Sequence, residues 1–433
     1  MASSEDDVNM ADSSEEHWDD DDDDAIDTTE SDQDFYLAIK PQSSQSFCEY
    51  DFKTAPYHNG GIKASEFPKD ILRKMDMKIK DVAKRHVLPI LPAKSLMKFR
   101  AVSKEWNQWI ASPLLAYQQS FSFQKLSGYF FQRVDLQFDP NLSIGFISLD
   151  RSANGVPSPS LDFLPERVKV VSCSSGLLLC QGWDSYYVCN PATKDWKMLP
   201  PPQYYHGSDP AVVLAFDPQY NIESFYQVIA AVPLLGNPVV CFEVYSSESD
   251  SWSCSSSDCL ELENSTGLAG GGSYIKGVAY WNTSSNEVLA FDVKNEIPAV
   301  LNVPDQSEQK GGALTQIGDE VCYVTAYNDS GDVFVIDIYG GMDMSLKHSV
   351  SVNLGSKKPR TDQVCRIPND PCSVVCCEIL PCIDSDTVVI HTDEKIYFYH
   401  LKEQKVESLA SPGPVDSQKR FLPYINSLAM VHA

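Results

Sequence analysis

Beyond residue 128 the chain is written in short apolar runs of β-branched and aromatic residues, punctuated by Gly, Pro, Asn, Asp and Ser. That alternation is the pattern of strands and turns. One unit recurs. "YYVCNPATKDWKMLP" (186–200) and "FEVYSSESDSWSCSS" (242–256) align without a gap and place Trp196 over Trp252. Each reads as a strand, a polar turn and a second strand. "VLAFDVKNEIPAVLNVP" (288–304), "VFVIDIYGGMDMSLKHS" (333–349) and "IYFYHLKEQKVESLA" (396–410) repeat the unit more loosely. With turns starting at Asn190, Ser246, Asp292, Asp337 and His400, the intervals are 56, 46, 45 and 63 residues. A period near 50 with about four strands per unit predicts propeller blades of the kelch kind, and the length left after residue 128 holds roughly six. An array of two-sheet sandwiches is the rival architecture.

A different period rules 90–110, "ILPAKSLMKFRAVSKEWNQWI". Leu96, Phe99, Val102, Trp106, Trp109 and Ile110 recur at helical steps. Pro92 suits a helix start, Ser103 can cap a further helix, and Ser112-Pro113 closes the segment. Pro89 removes a helical hydrogen bond and crowds the preceding turn, so the first helix should end or bend near Leu88. So small a module lacks the volume to bury this stripe within itself. Part of it is therefore expected to face a partner, with the tryptophans as anchors.

Charge then sets the ends apart. The formal net charge is −26, from 60 acidic and 34 basic side chains. Residues 1–34 hold 16 Asp or Glu and no Lys or Arg, leaving −26 + 16 = −10 for the rest. A self-repelling tail of this kind is expected to be disordered, and residues 1–68 read as an acidic leader. From Lys69 to Lys104 the balance reverses, with eleven Lys or Arg against Asp70, Asp76 and Asp81. The predicted organisation is thus a leader (1–68), a helical module (69–128) and an all-β domain (129–433). No run is long and apolar enough for a membrane helix, and the acidic start is not a secretory signal. The expected compartment is cytoplasmic or nuclear, with the 13 cysteines reduced and acting as small core hydrophobes.

Residues 79–120 resemble the F-box, the short helical motif of substrate receptors in Skp–cullin–F-box ubiquitin ligases. The matching set is Leu91-Pro92, Lys94-Ser95-Leu96, Phe99-Arg100, Val102-Ser103-Lys104, Trp106, Ile110 and Ser112-Pro113. Ile79-Lys80 stand where that motif usually opens on Leu-Pro. "VVSCSSGLLLCQGWDSYYVCNPATKDWKMLPPP" (170–202) is similar to the start of the kelch-like F-box-associated domain of plant F-box proteins. The implied fold class is α+β multidomain: a three-helix F-box module, then an all-β kelch-like propeller, behind a disordered acidic tail. The resemblance further implies a Skp-type adaptor as partner, and through it a cullin. The residues expected to meet the adaptor are Val87, Leu88, Leu91, Pro92, Leu96, Phe99, Val102, Trp106, Trp109 and Ile110. Lys94, Lys98, Arg100 and Lys104 would steer the encounter with that acidic subunit. An unidentified target protein is expected on inter-strand loops, at Trp183, Tyr204, Tyr205, His206 and Tyr220.

Candidate chemistry does not change this picture. "GLAGGGS" (267–273) lacks the Lys and the strand–loop–helix setting of a phosphate loop and reads as a turn between blades. Cys372, Cys376, Cys377 and Cys382 lack the paired spacing of a zinc site, and "CSVVCCEIL" reads as a buried strand. Ser174-Ser175-Gly176 is no nucleophile elbow, and Asp384-Ser385-Asp386 reads as a turn. No catalytic residue, metal site or cofactor is expected. Nucleic acid is disfavoured as a partner by the acidic field, and a membrane partner is not expected. The alternatives are a propeller enzyme or scaffold outside any ligase, and a helix-turn-helix regulator built on 69–110.

Overall fold

A computed structural model of the chain describes residues 79–133, 144–149, 160–218, 225–234, 239–262, 267–283, 287–304, 312–318, 320–330, 333–341, 343–354, 377–383, 386–392, 395–410 and 419–431. The leader (1–68), Tyr220, Cys372, Cys376, Asp384 and Ser385 lie outside the described residues.

The helical segments come first. α1 (Ile79–Val82) passes into a π turn over Ala83–Val87 and a 3-10 turn over Leu88–Ile90. The expected bend is therefore there, and its cause is Pro89, which cannot donate to the helical ladder. The wider π turn relieves the crowding that a proline places on the residues before it. Next come α2 (Ala93–Phe99), α3 (Lys104–Ile110) and α4 (Pro113–Ser122). Ser103 caps α3 by accepting from the Trp106 amide at 3.2 Å. The Ser112-Pro113 step does more than close the segment. The Ser112 hydroxyl accepts from the Leu115 amide, and Pro113 occupies a first-turn position where no N–H is needed. The step that the sequence marks as a close thus opens a further helix, α4.

Six sheets follow, arranged as a six-bladed β-propeller. Five are antiparallel four-stranded blades built from consecutive strands. They are β3 (Lys169–Ser174), β4 (Leu177–Gln181), β5 (Tyr186–Asn190) and β6 (Asp195–Met198); β7 (Val212–Ala215), β8 (Gln227–Pro233), β9 (Val240–Ser246) and β10 (Ser251–Cys254); β11 (Ser273–Ile275), β12 (Val278–Asn282), β13 (Glu287–Asp292) and β14 (Ile297–Asn302); β15 (Ala313–Ile317), β16 (Glu320–Ser330), β17 (Val333–Gly340) and β18 (Ser345–Asn353); and β19 (Cys377–Leu380), β20 (Thr387–Thr392), β21 (Lys395–His400) and β22 (Lys405–Ala410). The remaining sheet is composite. β1 (Leu126–Arg133) pairs with β2 (Gly145–Ser148) on one side and with β23 (Lys419–Ile425) on the other. Register such as Phe130↔Leu422 closes the ring by joining the two ends of the β-domain.

The recurring unit of the sequence is the outer hairpin of each four-stranded blade, and its turn has one fixed property. Lys194, Asp250, Glu296, Met344 and Gln404 each sit at positive φ, between 44° and 66°, immediately before the last strand. A left-handed residue at that point lets a four-residue turn return the chain in register.

Blade stacking explains why the inner strands read as unbroken apolar runs. In β4 (Leu177–Gln181), Leu177 and Leu179 join a core shared with the β7–β10 blade, while Leu178 and Cys180 join one shared with β1 and β23. Both faces of a strand are dry because each faces a neighbouring blade. Similar cores fill the other blade interfaces, with Trp281 and Phe291 in one and Val389 and Phe421 in another.

Candidate functional site

Direction along the strands separates two ends of the ring. Strands in a blade are antiparallel, so successive connections alternate between ends. In the β3–β6 blade, the turns at Ser175-Gly176 and at 191–194 lie at one end. The loop at 182–185 and the connection 199–211 lie at the other.

The helical module sits at the first end. Leu88, Ala93, Leu96, Ile110, Leu115 and Ala116 are buried together with Ala192 of the blade turn and Leu428 of the C-terminal segment. The apolar stripe expected to face a partner therefore divides. Leu88, Leu96 and Ile110 are 1%, 0% and 3% exposed, so their side chains serve the module's own seat on the ring. The reason is that the module borrows Ala192, Leu428 and Met430 as the core it could not supply alone. Val102, by contrast, is 65% exposed, with Ile90 and Leu114 also open. Val87, Leu91, Pro92, Phe99, Trp106 and Trp109 are half-buried. Phe99 meets Trp106 edge-on at 5.9 Å, Trp106 lies 5.8 Å from Trp109, and the Lys84 ammonium sits 4.1 Å from the Trp109 ring centre. This is a continuous aromatic row capped by a cation. Lys94, beside Lys98, has its ammonium pKa held below the usual range, mainly by burial and then by that neighbour.

What fixes the module's orientation is a set of buried hydrogen bonds, not grease alone. Residues 426–430, after β23, run between the helices and the β3–β6 blade. The Gln119 amide group donates to the Leu91 carbonyl at 2.9 Å and to the Asn426 carbonyl at 3.4 Å, and accepts from the Leu428 amide at 2.6 Å. The Ala93 amide donates to the Asn426 carbonyl at 3.0 Å. From the ring side, the Asn190 amide donates to the carbonyls of Ser427 and Ala429 at 3.0 and 2.7 Å. Sequence periodicity missed Gln119 and Asn190. Gln119 lies in the polar run Gln118-Gln119-Ser120, which gives it no distinguishing mark, and Asn190 stands at a strand end where it reads as a turn residue.

The opposite end carries four of the residues expected to meet a target, Trp183, Tyr204, Tyr205 and His206. Trp183 is 71% exposed, Tyr205 86% and Tyr204 41%. His206 is not among the open ones: its side chain is 3% exposed. It lies between Tyr186 Oη, 3.1 Å from Nδ1, and Glu243 Oε2, 2.9 Å from Nε2. A neutral ring with hydrogen on Nε2 satisfies both contacts, with Tyr186 donating to Nδ1. Burial lowers the His206 pKa against the pull of Glu243, which raises it. Glu243, itself fully buried, also accepts from the backbone amides of Gln203 at 2.6 Å and Tyr204 at 3.2 Å. The Trp252 indole donates to the Pro200 carbonyl at 2.7 Å. The 200–207 loop is thereby tied down along its length, and its two tyrosines stand outward from a fixed base. Gln181 donates to the Gly207 carbonyl at 3.1 Å, which keeps the 182–185 loop alongside.

Both His206 nitrogens are engaged below the surface, and no group of three His, Cys, Asp or Glu side chains able to hold a metal is found among the described residues. Cys377 and Cys382 are buried thiols, and burial pushes the Cys173 thiol up to about 12. "GLAGGGS" closes the connection into β11 (Ser273–Ile275): the Gly271 amide donates to the Pro210 carbonyl, and a Cβ at Gly272 would crowd Val213. No helix among the described residues is long and apolar enough to cross a membrane.

Comparison with known proteins agrees with this architecture. The F-box associated beta propeller domain matches residues 134–431. An F-box protein of Arabidopsis thaliana is 28% identical over 236 residues, 51% of this chain and 63% of its own length. A second Arabidopsis F-box protein is 24% identical over 358 residues, covering 76% of this chain and 82% of that one. An F-box/kelch-repeat protein of the same plant is 24% identical over 265 residues, 54% and 63% of the two chains. The chain thus spans less than two thirds of the first and third of these relatives.

Proposed function

The chain belongs to the F-box-associated β-propeller family, and from that premise we propose that it is a non-catalytic substrate receptor of a Skp–cullin–F-box ubiquitin ligase. The helical module, 79–120, docks on a Skp-type adaptor and so on a cullin. The opposite end of the propeller holds a target protein for ubiquitination. Binding energy and proximity do the work: a target lysine held near a charged conjugating enzyme reacts at a high effective concentration.

One observation supports this reading above the others. Open apolar side chains of the module and open aromatics of the ring lie at opposite ends of one rigidly bonded unit. A receptor needs that arrangement, because its two partners must be held together without competing for one surface.

Co-expression with a Skp-type adaptor tests it. The wild-type chain should purify as a stable 1:1 complex. Val102→Asp should weaken that complex more than tenfold, since burying a valine contributes about 1.5–3 kcal/mol. Val102 is 65% exposed, so the variant should keep the wild-type melting temperature. Equal capture of adaptor by both proteins, or by neither, would sink the docking assignment.

A further inference from the structure

We infer that the target end of the propeller, at the blades β3–β6 and β7–β10, binds a positively charged segment of its target, one presenting Arg or Lys side chains. The inference rests on the receptor reading and deepens it by naming the partner's chemistry.

Three features converge there. The first is exposure of rings: Trp183, Tyr204 and Tyr205 stand open on adjacent loops. Aromatic faces attract cations, by about 0.5–1 kcal/mol where exposed and by 2 kcal/mol or more once water is excluded. The second is charge. The described connections at this end of the two blades (160–167, 182–185, 199–211 and 255–262) carry exposed carboxylates at Asp162, Asp184, Asp258 and Glu261, while Asp209 is paired with Arg420 of β23 at 2.9 Å. Arg167 is the one Lys or Arg among those residues. Asp184 directly follows Trp183 in the chain, so a ring and a carboxylate are presented by neighbouring residues. Guanidinium groups suit such pairs, since they stack on rings and hydrogen-bond to carboxylates together. The third feature is rigidity. The Glu243, His206 and Trp252 bonds hold the 200–207 loop before any ligand arrives, which lowers the entropy cost of binding.

The helical module, at the other end, has the opposite sign: Lys84, Lys94, Lys98, Arg100 and Lys104 all belong to it. A cationic segment is thus drawn to these loops and repelled from the module, which discriminates between docking modes as well as strengthening one.

Fluorescence anisotropy with the full-length chain tests the inference, using labelled peptides of alternating Gly-Arg, Gly-Glu and Gly-Leu at physiological salt. The Gly-Arg peptide should bind and the other two should not. Trp183→Ala combined with Tyr205→Ala should weaken Gly-Arg binding at least tenfold, although the net charge is unchanged. Asp184→Asn with Asp258→Asn should weaken it comparably, whereas Asp195→Asn with Glu403→Gln, exposed carboxylates at the module end, should change it less than twofold. Preference for Gly-Glu or Gly-Leu, full binding by the aromatic double variant, or equal losses from both carboxylate pairs would each overturn the inference. Adaptor capture by the same preparations reads the receptor assignment separately. Its success alongside any of those peptide results would sink the cationic partner alone.

Discussion

Gln119→Ala is the substitution that most directly probes the coupling between the two ends. Gln119 is 0% exposed and its amide bridges Leu91, Asn426 and Leu428. Truncation to Ala strips the Leu428 N–H and the Leu91 carbonyl of this partner, while the Asn426 carbonyl keeps the Ala93 amide. Each buried polar group left without a partner costs about 1–3 kcal/mol, so roughly 2–6 kcal/mol should be lost locally for the two. That corresponds to at least about thirtyfold, and up to roughly ten-thousand-fold, faster opening of the joint. Hydrogen exchange read by mass spectrometry locates the effect: amides of 93–122 and 426–430 should exchange faster by this factor, and those of β11–β18 should not change. Gln119→Glu separates hydrogen bonding from volume, since it can still accept from Leu428 but points a carboxylate at the Leu91 carbonyl. It too should loosen the joint. If 93–122 in Gln119→Ala exchanges within threefold of wild type, then apolar contact alone seats the module and the reasoning fails.

Two further outcomes follow from the same framework. His206 has its pKa lowered from the ordinary 6.5, chiefly by burial, with Glu243 opposing. The unfolded chain therefore gains the proton first, and stability held above pH 6.5 drains away as pH falls from there toward the folded value. Melting temperatures between pH 7.5 and 5.5 should fall more steeply in wild type than in His206→Gln; parallel curves would remove the buried neutral ring from the account. Gly176 lies at φ +98°, and a Cβ there would collide with Ser427 Oγ and approach the Ile425 carbonyl. Gly176→Ala should cost about 2 kcal/mol or more from backbone strain and this overlap. An unchanged melting temperature would show that the turn can rearrange.

The sequence carried the ring well because its information is local and repeated. Each outer hairpin announces itself through an apolar run, a polar turn and a second run, and the spacing yields the blade number. The caps and bends of the module were legible for the same reason: Ser103 and Pro89 act on residues within one turn of themselves. Division of the stripe was not legible. A helical period says that Leu96 and Ile110 share a side, but what covers them is Leu428, more than 300 residues on in sequence. Gln119 and Asn190 escaped for that reason too, because their partners belong to the C-terminal segment. His206 belongs to an inter-strand loop and so reads as open to a target, yet its counter-group Glu243 sits in "FEVY", an apolar strand where one buried carboxylate leaves no periodic trace.

The buried joint bears on function through distance. A strand of five residues, such as β4, is about 17 Å long, so the two ends of the ring stand only some 15–20 Å apart. On the proposed reading, target and ligase scaffold meet through that short span, and its stiffness sets where a target lysine can reach. A receptor with a swinging module would still bind both partners, but it would spread the lysine over many positions and lose effective concentration. Polar bonds suit this task better than apolar packing, because a greasy seat tolerates sliding whereas the amide of Gln119 is satisfied at one orientation only. The Gln119→Ala chain should therefore keep its affinity for adaptor and for the Gly-Arg peptide yet transfer ubiquitin more slowly. Loss of transfer only in proportion to lost binding would mean that the joint stabilises the fold without setting the reach.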